Sequence, residues 1–421
     1  ADARSNVNKD DLILVSIDDH VVEPPDMFLN HVPAKYKPEA PVVVTDDKGV
    51  DQWMYQGRPQ GVSGLNAVVS WPAEEWGRDP AGFAEMRPGV YDAHERVRDM
   101  NRNGILASMC FPTFTGFSAR HLNMTREDVT LVMVSAYNDW HIDEWAAAYP
   151  DRFIPIAILP TWTPEGMCAE IRRVAAKGCR AVTMPELPHL EGLPSYHDLD
   201  YWGPVFQTLS DEDVVMCLHI GTGFGAISMA PDAPIDNLIV LATQISAMCA
   251  QDLLWGPAMR TYPNLKFAFS EGGIGWIPFY LDRCDRHYTN QRWLRRDFGG
   301  KLPSEVFREH SLACYVTEYQ NNQAALQSGD PNVAKPLNPE YDRNKMYAIA
   351  SEITKRWAGE PEADDAWNIL LAIAINEKKR QVWIGNRKAM KLAGIMFHSC
   401  HHVTRRGDIQ LPERLKTMTI C

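Results

Sequence analysis

Acidic and imidazole side chains stand at the ends of two apolar runs that lie about two hundred residues apart. The run Leu12–Ile17 leads into Asp18, Asp19 and His20, and the run that begins at Val214 ends in His219 and a glycine turn. Side chains two apart in a strand share a face, so Asp18 and His20 can offer an oxygen and a nitrogen to one cation. Taken singly, an Asp-x-His pair is also explained by chance or by a helix cap, and His219 by a buried core histidine.

A third apolar run, Leu265–Ser270, ends in Glu271 and two glycines. Burial and a nearby cation shift the pKa of a carboxyl in opposite directions, so Glu271 is a candidate general base or additional metal ligand. The alternative is a carboxylate that caps the following helix. Trp276 is a candidate substrate-binding residue for an aromatic or apolar molecule, and it is equally well explained as a packing residue.

The elements that must position these side chains alternate between short β-branched runs and longer helical patterns, as a parallel α/β fold requires. The pattern predicts a (β/α)₈ TIM barrel, in which catalytic groups gather at the carboxyl ends of the strands. Helices are predicted over 92–104, 128–148, 164–177 and 237–259. The expected strands are Leu12–Ile17, Ile105–Phe111, Phe153–Leu159, Cys179–Met184, Val214–His219, Leu265–Ser270, Ala313–Thr317 and Ala393–Phe397.

Two segments exceed what a minimal barrel needs, and we interpret both as insertions in one domain that spans residues 1–421. Residues 30–91 are rich in Pro, Gly and Trp and are predicted to form a lid-like insertion after strand 1, over the barrel mouth. Residues 319–394 form an atypical helical insertion before the last strand, with helices predicted near 344–357 and 363–376. A separate small C-terminal domain is the alternative for that segment.

Composition restricts the partners. The net charge is −12 and is spread along the chain, which disfavours nucleic acid and leaves a small-molecule substrate as the expected ligand. No run of about 18 apolar residues occurs, so we expect a soluble, cytoplasmic protein without membrane contact. The nine cysteines stand singly in apolar runs and are expected to be buried free thiols. Homo-oligomer formation is left open.

The chain resembles the second amidohydrolase family, which includes metal-dependent hydrolases and the decarboxylases of aminocarboxymuconate semialdehyde and of hydroxylated benzoates. The resemblance covers about Leu12 to Thr317. The matching stretches are Asp18-x-His20-x-x-Glu23-Pro24, Met86-Arg87-Pro88-Gly89 to Asp99, Cys110-Phe111-Pro112, Gly192-Leu193-Pro194-Ser195, Leu218-His219-Ile220-Gly221, and Gly273 to Asp285.

The resemblance implies a (β/α)₈ barrel with one divalent metal ion, for which Zn²⁺ is the expected ion and Mn²⁺ the alternative. Asp18, His20 and His219 would be its ligands. Glu271 falls near the position where many members carry a histidine that contacts metal-bound water or substrate. Arg283 lies near an arginine that helps hold a substrate carboxylate in the decarboxylases, which makes it a candidate substrate-binding residue.

The C-terminus departs from the family pattern. Members carry an aspartate after the last strand that binds the metal and handles the reacting proton, whereas this chain has Cys400 at the rough equivalent position. His398, His401 and Asp408 are nearby, and thiolate or imidazole would suit Zn²⁺. The alternative that we favour is a surface cluster on an altered tail.

Three functions follow from these observations. The first choice is a metal-dependent hydrolase in which activated water attacks an amide, ester or lactone of a small, aromatic or apolar substrate. The alternative is a non-oxidative decarboxylase of a hydroxybenzoate-like acid. The missing aspartate motivates a third, a catalytically inactive barrel.

Overall fold

Thirteen strands and ten α-helices are present in the computed structural model, which describes residues 15–61, 64–68, 82–103, 105–122, 126–294, 296–315, 371–375 and 380–384. The strands are β1 (Val15–His20), β2 (Val42–Thr45), β3 (Asp51–Tyr55), β4 (Arg58–Gly61), β5 (Ala107–Phe111), β6 (Phe153–Ile154), β7 (Ala157–Ile158), β8 (Ala181–Met184), β9 (Val215–His219), β10 (Lys266–Ser270), β11 (Ser311–Tyr315), β12 (Leu371–Ile375) and β13 (Arg380–Ile384). The helices are α1 (Met27–His31), α2 (Ala93–Asn103), α3 (Glu127–Trp140), α4 (Pro164–Ala176), α5 (Leu199–Asp211), α6 (Ile235–Leu241), α7 (Thr243–Trp255), α8 (Ala258–Thr261), α9 (Trp276–Asn290) and α10 (Pro303–His310).

The main strands are parallel and pair in chain order. One sheet has the order β1-β5-β6, and a second runs from β7 through β8, β9, β10 and β11 to β12, with β13 antiparallel at its edge. Only Pro155 and Ile156 separate β6 from β7, and proline lacks the N–H that would continue the ladder. The fold is therefore parallel α/β with eight successive strand positions; among the described strands no ladder joins β1 to β12.

Strand and helix predictions agree with this arrangement through β11, with differences at the ends. β1 continues through His20, so that Asp18 and His20 lie on the strand itself. The helix predicted over 237–259 is divided into α6 and α7, and α3 ends in a wider π-helical turn at His141–Ala146. Six cysteines of the described ranges are buried free thiols, as expected.

The helix predicted over 363–376 is wrong where the structure describes it, because Leu371–Ile375 forms strand β12 beside β11. Its sequence alternates alanine with β-branched isoleucine, a pattern that suits a pleated surface buried among neighbouring strands. The eighth strand expected at Ala393–Phe397 lies outside the described residues.

Residues 42–61 within the long insertion form a three-stranded antiparallel sheet, β2-β3-β4. Its inward residues Trp53 and Tyr55 are fully buried. The Trp53 ring stacks on Phe114, at a centroid distance of 4.5 Å, and Phe114 belongs to the loop that follows the carboxyl end of β5. The insertion therefore packs on a loop at the carboxyl side of the parallel strands.

No single helix in the described part of the chain has the length and hydropathy needed to cross a bilayer. The consecutive helices α6 and α7, bent by 44° at their junction, meet this requirement as a pair, by length and composition only.

Candidate active site

Asp18 and His20 stand at the carboxyl end of β1, beside an irregularity in its pairing with β5. Ser16 pairs with Ser108 and Asp19 with Cys110, so β1 has one residue more than its partner over this stretch. Such a bulge re-aims side chains locally. Asp19 accepts a hydrogen bond from the Ser108 hydroxyl, whereas the Asp18 side chain is 95 % buried and lies next to His219.

His219 ends β9 and is almost fully buried. Its Nδ1 atom lies 2.7 Å from the carbonyl oxygen of Ile220, and because a carbonyl can only accept, Nδ1 is the donor. This bond fixes the orientation of the ring and directs Nε2 at the cluster, as in many histidine metal ligands. The Nε2 atom lies 3.5 Å from Asp18 Oδ1, and the His219 and His20 ring centroids are 4.9 Å apart.

Glu271 follows β10 in a left-handed backbone conformation, with φ of +52°. Its backbone N–H donates to Asp18 Oδ2 at 2.9 Å, and its Oε2 lies 3.2 Å from His219 Nε2. A non-glycine residue rarely adopts this conformation, which is often found at functional sites. The side chain is 42 % exposed, whereas those of Asp18 and His219 are almost fully buried, so a substrate from solvent can reach Glu271 more directly than either of them.

This donor set fits a divalent metal ion. One ligand atom each from His20, His219 and Glu271 lie within 4.8 Å of one another, and Asp18 Oδ1 adds a fourth at 3.5 Å from His219 Nε2. An ion bonded to nitrogen and oxygen ligands at about 2.1 Å spaces neighbouring ligand atoms by about 3 to 4 Å. Small side-chain adjustments would therefore bring these atoms around one ion.

The electrostatics of this cluster show why a cation would be stabilised there. Burial raises the pKa of Asp18 to about 7, although His219 opposes the shift. Burial lowers the pKa of His219, but Glu271 and Asp18 outweigh it and raise that pKa to about 9. A proton on His219 thus balances the two carboxylates, and a metal ion would supply the same charge.

Glu186, two residues beyond β8, holds the turn that follows His219. Its fully buried carboxylate accepts hydrogen bonds from the backbone N–H groups of Gly221 (3.1 Å) and Gly223 (3.3 Å) and from the Ser246 hydroxyl (3.2 Å). Burial raises the pKa of Glu186 to about 7, and His219 lowers it in part. A Cβ atom at Gly223 would lie 2.2 Å from Ile245, so glycine is required for this close approach.

Glu23 holds a second loop beside the site. Its buried carboxylate accepts from the backbone N–H groups of Thr113 (3.1 Å) and Phe114 (2.8 Å) in the loop after β5. Three residues further along that loop, the Phe117 ring stacks on His219 at a centroid distance of 4.0 Å. Glu23 therefore fixes a loop whose aromatic side chain covers one face of the candidate metal ligand.

Arg96 supports the end of β1 from helix α2. Its guanidinium donates to the backbone carbonyl oxygens of Gly89 and of His20. Another of its nitrogens lies 4.0 Å from Asp19 Oδ2. Because the backbone carbonyl of His20 is held in this way, Arg96 restricts where the His20 side chain can point.

The sequence singled out Asp18, His20, His219 and Glu271, and the structure brings these four together. It does not bring Trp276 and Arg283 to them. Trp276 is buried at the start of α9, where its indole N–H donates to the Gly272 carbonyl and its ring packs near Phe269. Arg283 is exposed two turns further along that helix. Their roles in substrate binding stay predictions, and Cys400, His398, His401 and Asp408 lie outside the described residues.

Sequence reasoning missed Glu186, Phe117 and the hydrogen bonds of Glu23. One signal was available for Glu186, because it follows an apolar strand just as Glu271 does. The Phe117 contact has no such signal, since a loop phenylalanine is compatible with many positions. The alternative in which Glu271 caps α9 is not what the structure shows, because Gly275 occupies that position.

Solved structures with a similar fold include an amidohydrolase from Mycobacterium avium subsp. paratuberculosis, with 19% identity, a TM-score of 0.55, and coverage of 75% of this chain and 86% of that one. Another is 5-carboxyvanillate decarboxylase LigW from Sphingomonas paucimobilis, with 19% identity, a TM-score of 0.50, and coverage of 91% and 100%. A third is 5-carboxyvanillate decarboxylase from Novosphingobium aromaticivorans complexed with manganese and 4-hydroxy-3-methoxy-5-nitrobenzoic acid, with 17% identity, a TM-score of 0.51, and coverage of 92% and 97%. At these identities the likeness establishes the fold alone.

No curated protein sequence matches the chain significantly. The family model described as amidohydrolase matches residues 28–312, which is more than half of the chain and includes His219 and Glu271. Asp18 and His20 precede the matched range, but they reach His219 in the structure. On the strength of the family match and the parallel α/β fold, this chain is an enzyme of the amidohydrolase family.

Proposed function

We propose that the chain binds one divalent metal ion and catalyses the non-oxidative decarboxylation of a hydroxylated aromatic acid. The observation that carries the metal-dependent part is the convergence of Asp18, His20, His219 and Glu271 from three strands onto one small volume. When bound, such an ion supplies a positive charge that polarises and orients oxygen atoms of a substrate. Mn²⁺ and Zn²⁺ both accept imidazole and carboxylate ligands.

We also infer that the parallel strands close into a (β/α)₈ barrel around this site. Support comes from an apolar cluster in which Ile17 of β1 and Leu312 of β11 pack with side chains of the strands between them. Strands at opposite ends of the chain order can share one cluster only if the sheet curves towards closure. The same curvature explains how Asp18 reaches the N–H of Glu271 across 253 residues of chain.

Three observations support decarboxylation as the reaction. The fold is similar to those of two 5-carboxyvanillate decarboxylases. Phe111 and Phe117 contact the His219 ring at centroid distances of 4.7 and 4.0 Å, so the metal ligand has aromatic neighbours. Glu271 is a partly exposed carboxyl group next to His219, where it can hold a proton. In the reaction the bond from ring carbon to carboxylate breaks, CO₂ leaves, and the ring carbon takes the proton.

Hydrolysis of an amide, ester or lactone is the second candidate, because Glu271 is equally placed to take a proton from an attacking water molecule. The two reactions differ in their products. Enzyme purified with added Mn²⁺ or Zn²⁺ is incubated with carboxyl-labelled 5-carboxyvanillate and hydroxybenzoates, and in parallel with aromatic esters and lactones. Labelled CO₂ supports the lyase, whereas acid release from the second group without CO₂ from the first would replace it with a hydrolase.

The metal site is tested independently of the substrate. The variant His219→Ala is expected to lose about one equivalent of bound metal by elemental analysis, while its circular dichroism stays native. The exposed His189 provides the matched control, and His189→Ala is expected to retain the metal. A wild-type protein that binds no divalent metal at neutral pH, or a His219→Ala variant that binds it as tightly, would contradict the proposed site.

A further inference from the structure

A pocket of about 370 Å³ lies at the end of α9 that is remote from the candidate active site. Helix α9 begins at Trp276, shortly after Glu271, and ends at Asn290. Its 15 residues span roughly 22 Å, at 1.5 Å of rise per residue. The pocket is formed by the last turn of α9, the end of α7 and the loop that leads to α10, and its lining includes Trp255, His287, Tyr288, Leu294, Arg296 and Lys301.

This pocket lies on the amino side of the parallel strands. Helix α10 begins directly after the lining residue Leu302, and His310 at its end is followed at once by β11. The Nδ1 atom of His310 lies 2.6 Å from the carbonyl oxygen of Leu265, the residue before β10. Catalytic groups of parallel α/β folds gather at the opposite, carboxyl ends of the strands. The pocket is therefore separate from the candidate metal site.

Aromatic rings form one wall of the pocket. Trp255 and Tyr288 are half-buried, and both rings pack at nearly right angles on the buried Phe298, at centroid distances of 5.4 and 5.3 Å. The His287 ring packs on Trp255 in the same way at 5.5 Å. The indole N–H of Trp255 donates to Gln251, which fixes the orientation of the ring. Rings held in place in this way offer an apolar surface to a planar ligand.

Positive charge surrounds these rings. From Arg283 to Lys301, inclusive, the chain has six lysines and arginines and two aspartates, although its overall net charge is −12. None of the described residues that line the pocket is acidic. Lys301 is paired with Glu309, whereas the Arg296 guanidinium has no carboxylate partner among the described residues. Burial lowers the pKa of Arg260, and the positive charge of Arg296 lowers it further, so an anion in the pocket would relieve the repulsion between the two groups.

We propose that this pocket is a second binding site, which takes a small aromatic anion with a single ring. The anionic group would pair with Arg296, because a planar guanidinium donates to two oxygens of a carboxylate or phosphate at once. The ring of the ligand would pack against Trp255 and Tyr288. At about 30 Å³ for each water molecule in the liquid, the pocket has room for about a dozen non-hydrogen atoms. The proposal does not depend on which reaction the enzyme catalyses.

The test is hydrogen exchange of the full-length, metal-loaded protein, measured by mass spectrometry with four probes: benzoate, phenyl phosphate, phenol and inorganic phosphate. Each probe is titrated to about 10 mM, which would nearly saturate a site with a dissociation constant of about 1 mM. At least one of the two aromatic anions should slow exchange saturably in peptides from residues 286–302. The difference between them tells whether the site prefers a carboxylate or a phosphate. Phenol, which lacks the charge, and inorganic phosphate, which lacks the ring, should give no protection there.

Three variants locate the binding site. Arg296→Glu should raise the dissociation constant of the aromatic anion by at least about 10-fold, because an attractive charge becomes a repulsive one. Arg296 is exposed, so the melting temperature should stay unchanged. Arg58→Glu makes the same change of charge at an exposed position of β4 and should bind like wild type. His219→Ala should also bind like wild type, because the candidate metal site lies at the other end of α9.

Four results would overturn the proposal. They are no protection of residues 286–302 by either aromatic anion, equal protection by phenol or by inorganic phosphate, unchanged affinity in Arg296→Glu, and loss of protection in Arg58→Glu or His219→Ala. The second result would reduce the site to a general apolar or anion-attracting surface, and the last would assign the protection to net charge or to the candidate metal site.

Discussion

Replacing Glu23 with glutamine should remove a pH dependence of folding stability that the structure assigns to one buried carboxyl group. Glu23 is fully buried, and burial raises its pKa from 4.5 to about 7, although the N–H groups of Phe114 and Thr113 oppose the shift. A carboxyl whose pKa is higher in the folded state binds a proton more tightly there than in the unfolded chain. Its contribution to stability is therefore complete below about pH 4.5 and is lost as the pH rises through about 7.

The size of the effect follows from the two pKa values. A shift from 4.5 to about 7 is worth about 3 kcal/mol, at 1.36 kcal/mol for each pKa unit. Glutamine cannot titrate, so the difference in unfolding free energy between wild type and Glu23→Gln should change by about 3 kcal/mol between pH 4.5 and pH 8. The amide also places an NH₂ group against one backbone donor, at a cost of about 1 to 3 kcal/mol that does not depend on pH.

The assay is urea unfolding of both proteins in the presence of a chelator, so that pH-dependent metal binding does not contribute. Glu85→Gln serves as the control, because Glu85 is exposed and should give a constant difference from wild type across the same range. If Glu23→Gln and wild type keep parallel stability curves from pH 4.5 to pH 8, then the carboxyl is already ionised at low pH in the folded state and the argument from burial is wrong.

Three further substitutions test the site from other directions. Glu271→Gly should be more stable than Glu271→Ala by about 1 kcal/mol in thermal unfolding, because only glycine adopts a φ of +52° without strain; equal stability would contradict a strained backbone there. Glu186→Gln should retain bound metal but lower kcat by about 10-fold in whichever assay detects activity, because a neutral amide oxygen accepts more weakly than a carboxylate from the Gly221 and Gly223 N–H groups that hold the turn after His219. Loss of the metal instead would make Glu186 part of the binding site. Arg96→Lys should cost about 1 to 3 kcal/mol in urea unfolding, since lysine cannot donate to the Gly89 and His20 carbonyls together, and an unchanged midpoint would refute that role.

Much of the candidate site could be predicted because its members obey a local rule. Asp18, His219 and Glu271 each end a short apolar run, and the carboxyl ends of parallel strands lie at one edge of a sheet. The sequence pattern did not identify strand β12 in the same way. Residues 371–375 were predicted as helix because alanine and isoleucine satisfy both periods over so short a length, and pairing with β11 decided between them.

Long-range contacts were beyond what spacing can indicate. Trp276 follows a candidate catalytic residue closely in sequence, but its ring turns into the core between α9 and β10, where aromatic packing buries more apolar surface. Phe117 has no distinguishing neighbour in sequence and nevertheless covers His219. The conformation of the loop after β5 determines which aromatic side chain contacts His219. Glu23 fixes that conformation by accepting two backbone hydrogen bonds from the loop.

The order and type of the parallel strands through β11 and the chemistry of the candidate metal ligands were determined by the sequence, because each depends on residue type or on short-range periodicity. The tertiary structure alone decided that the carboxylate of Asp18 lies 3.5 Å from His219, that Glu271 adopts a left-handed conformation and that α6 faces water. These features arise from contacts between residues far apart in the chain, whose geometry is fixed only when the strands pack together.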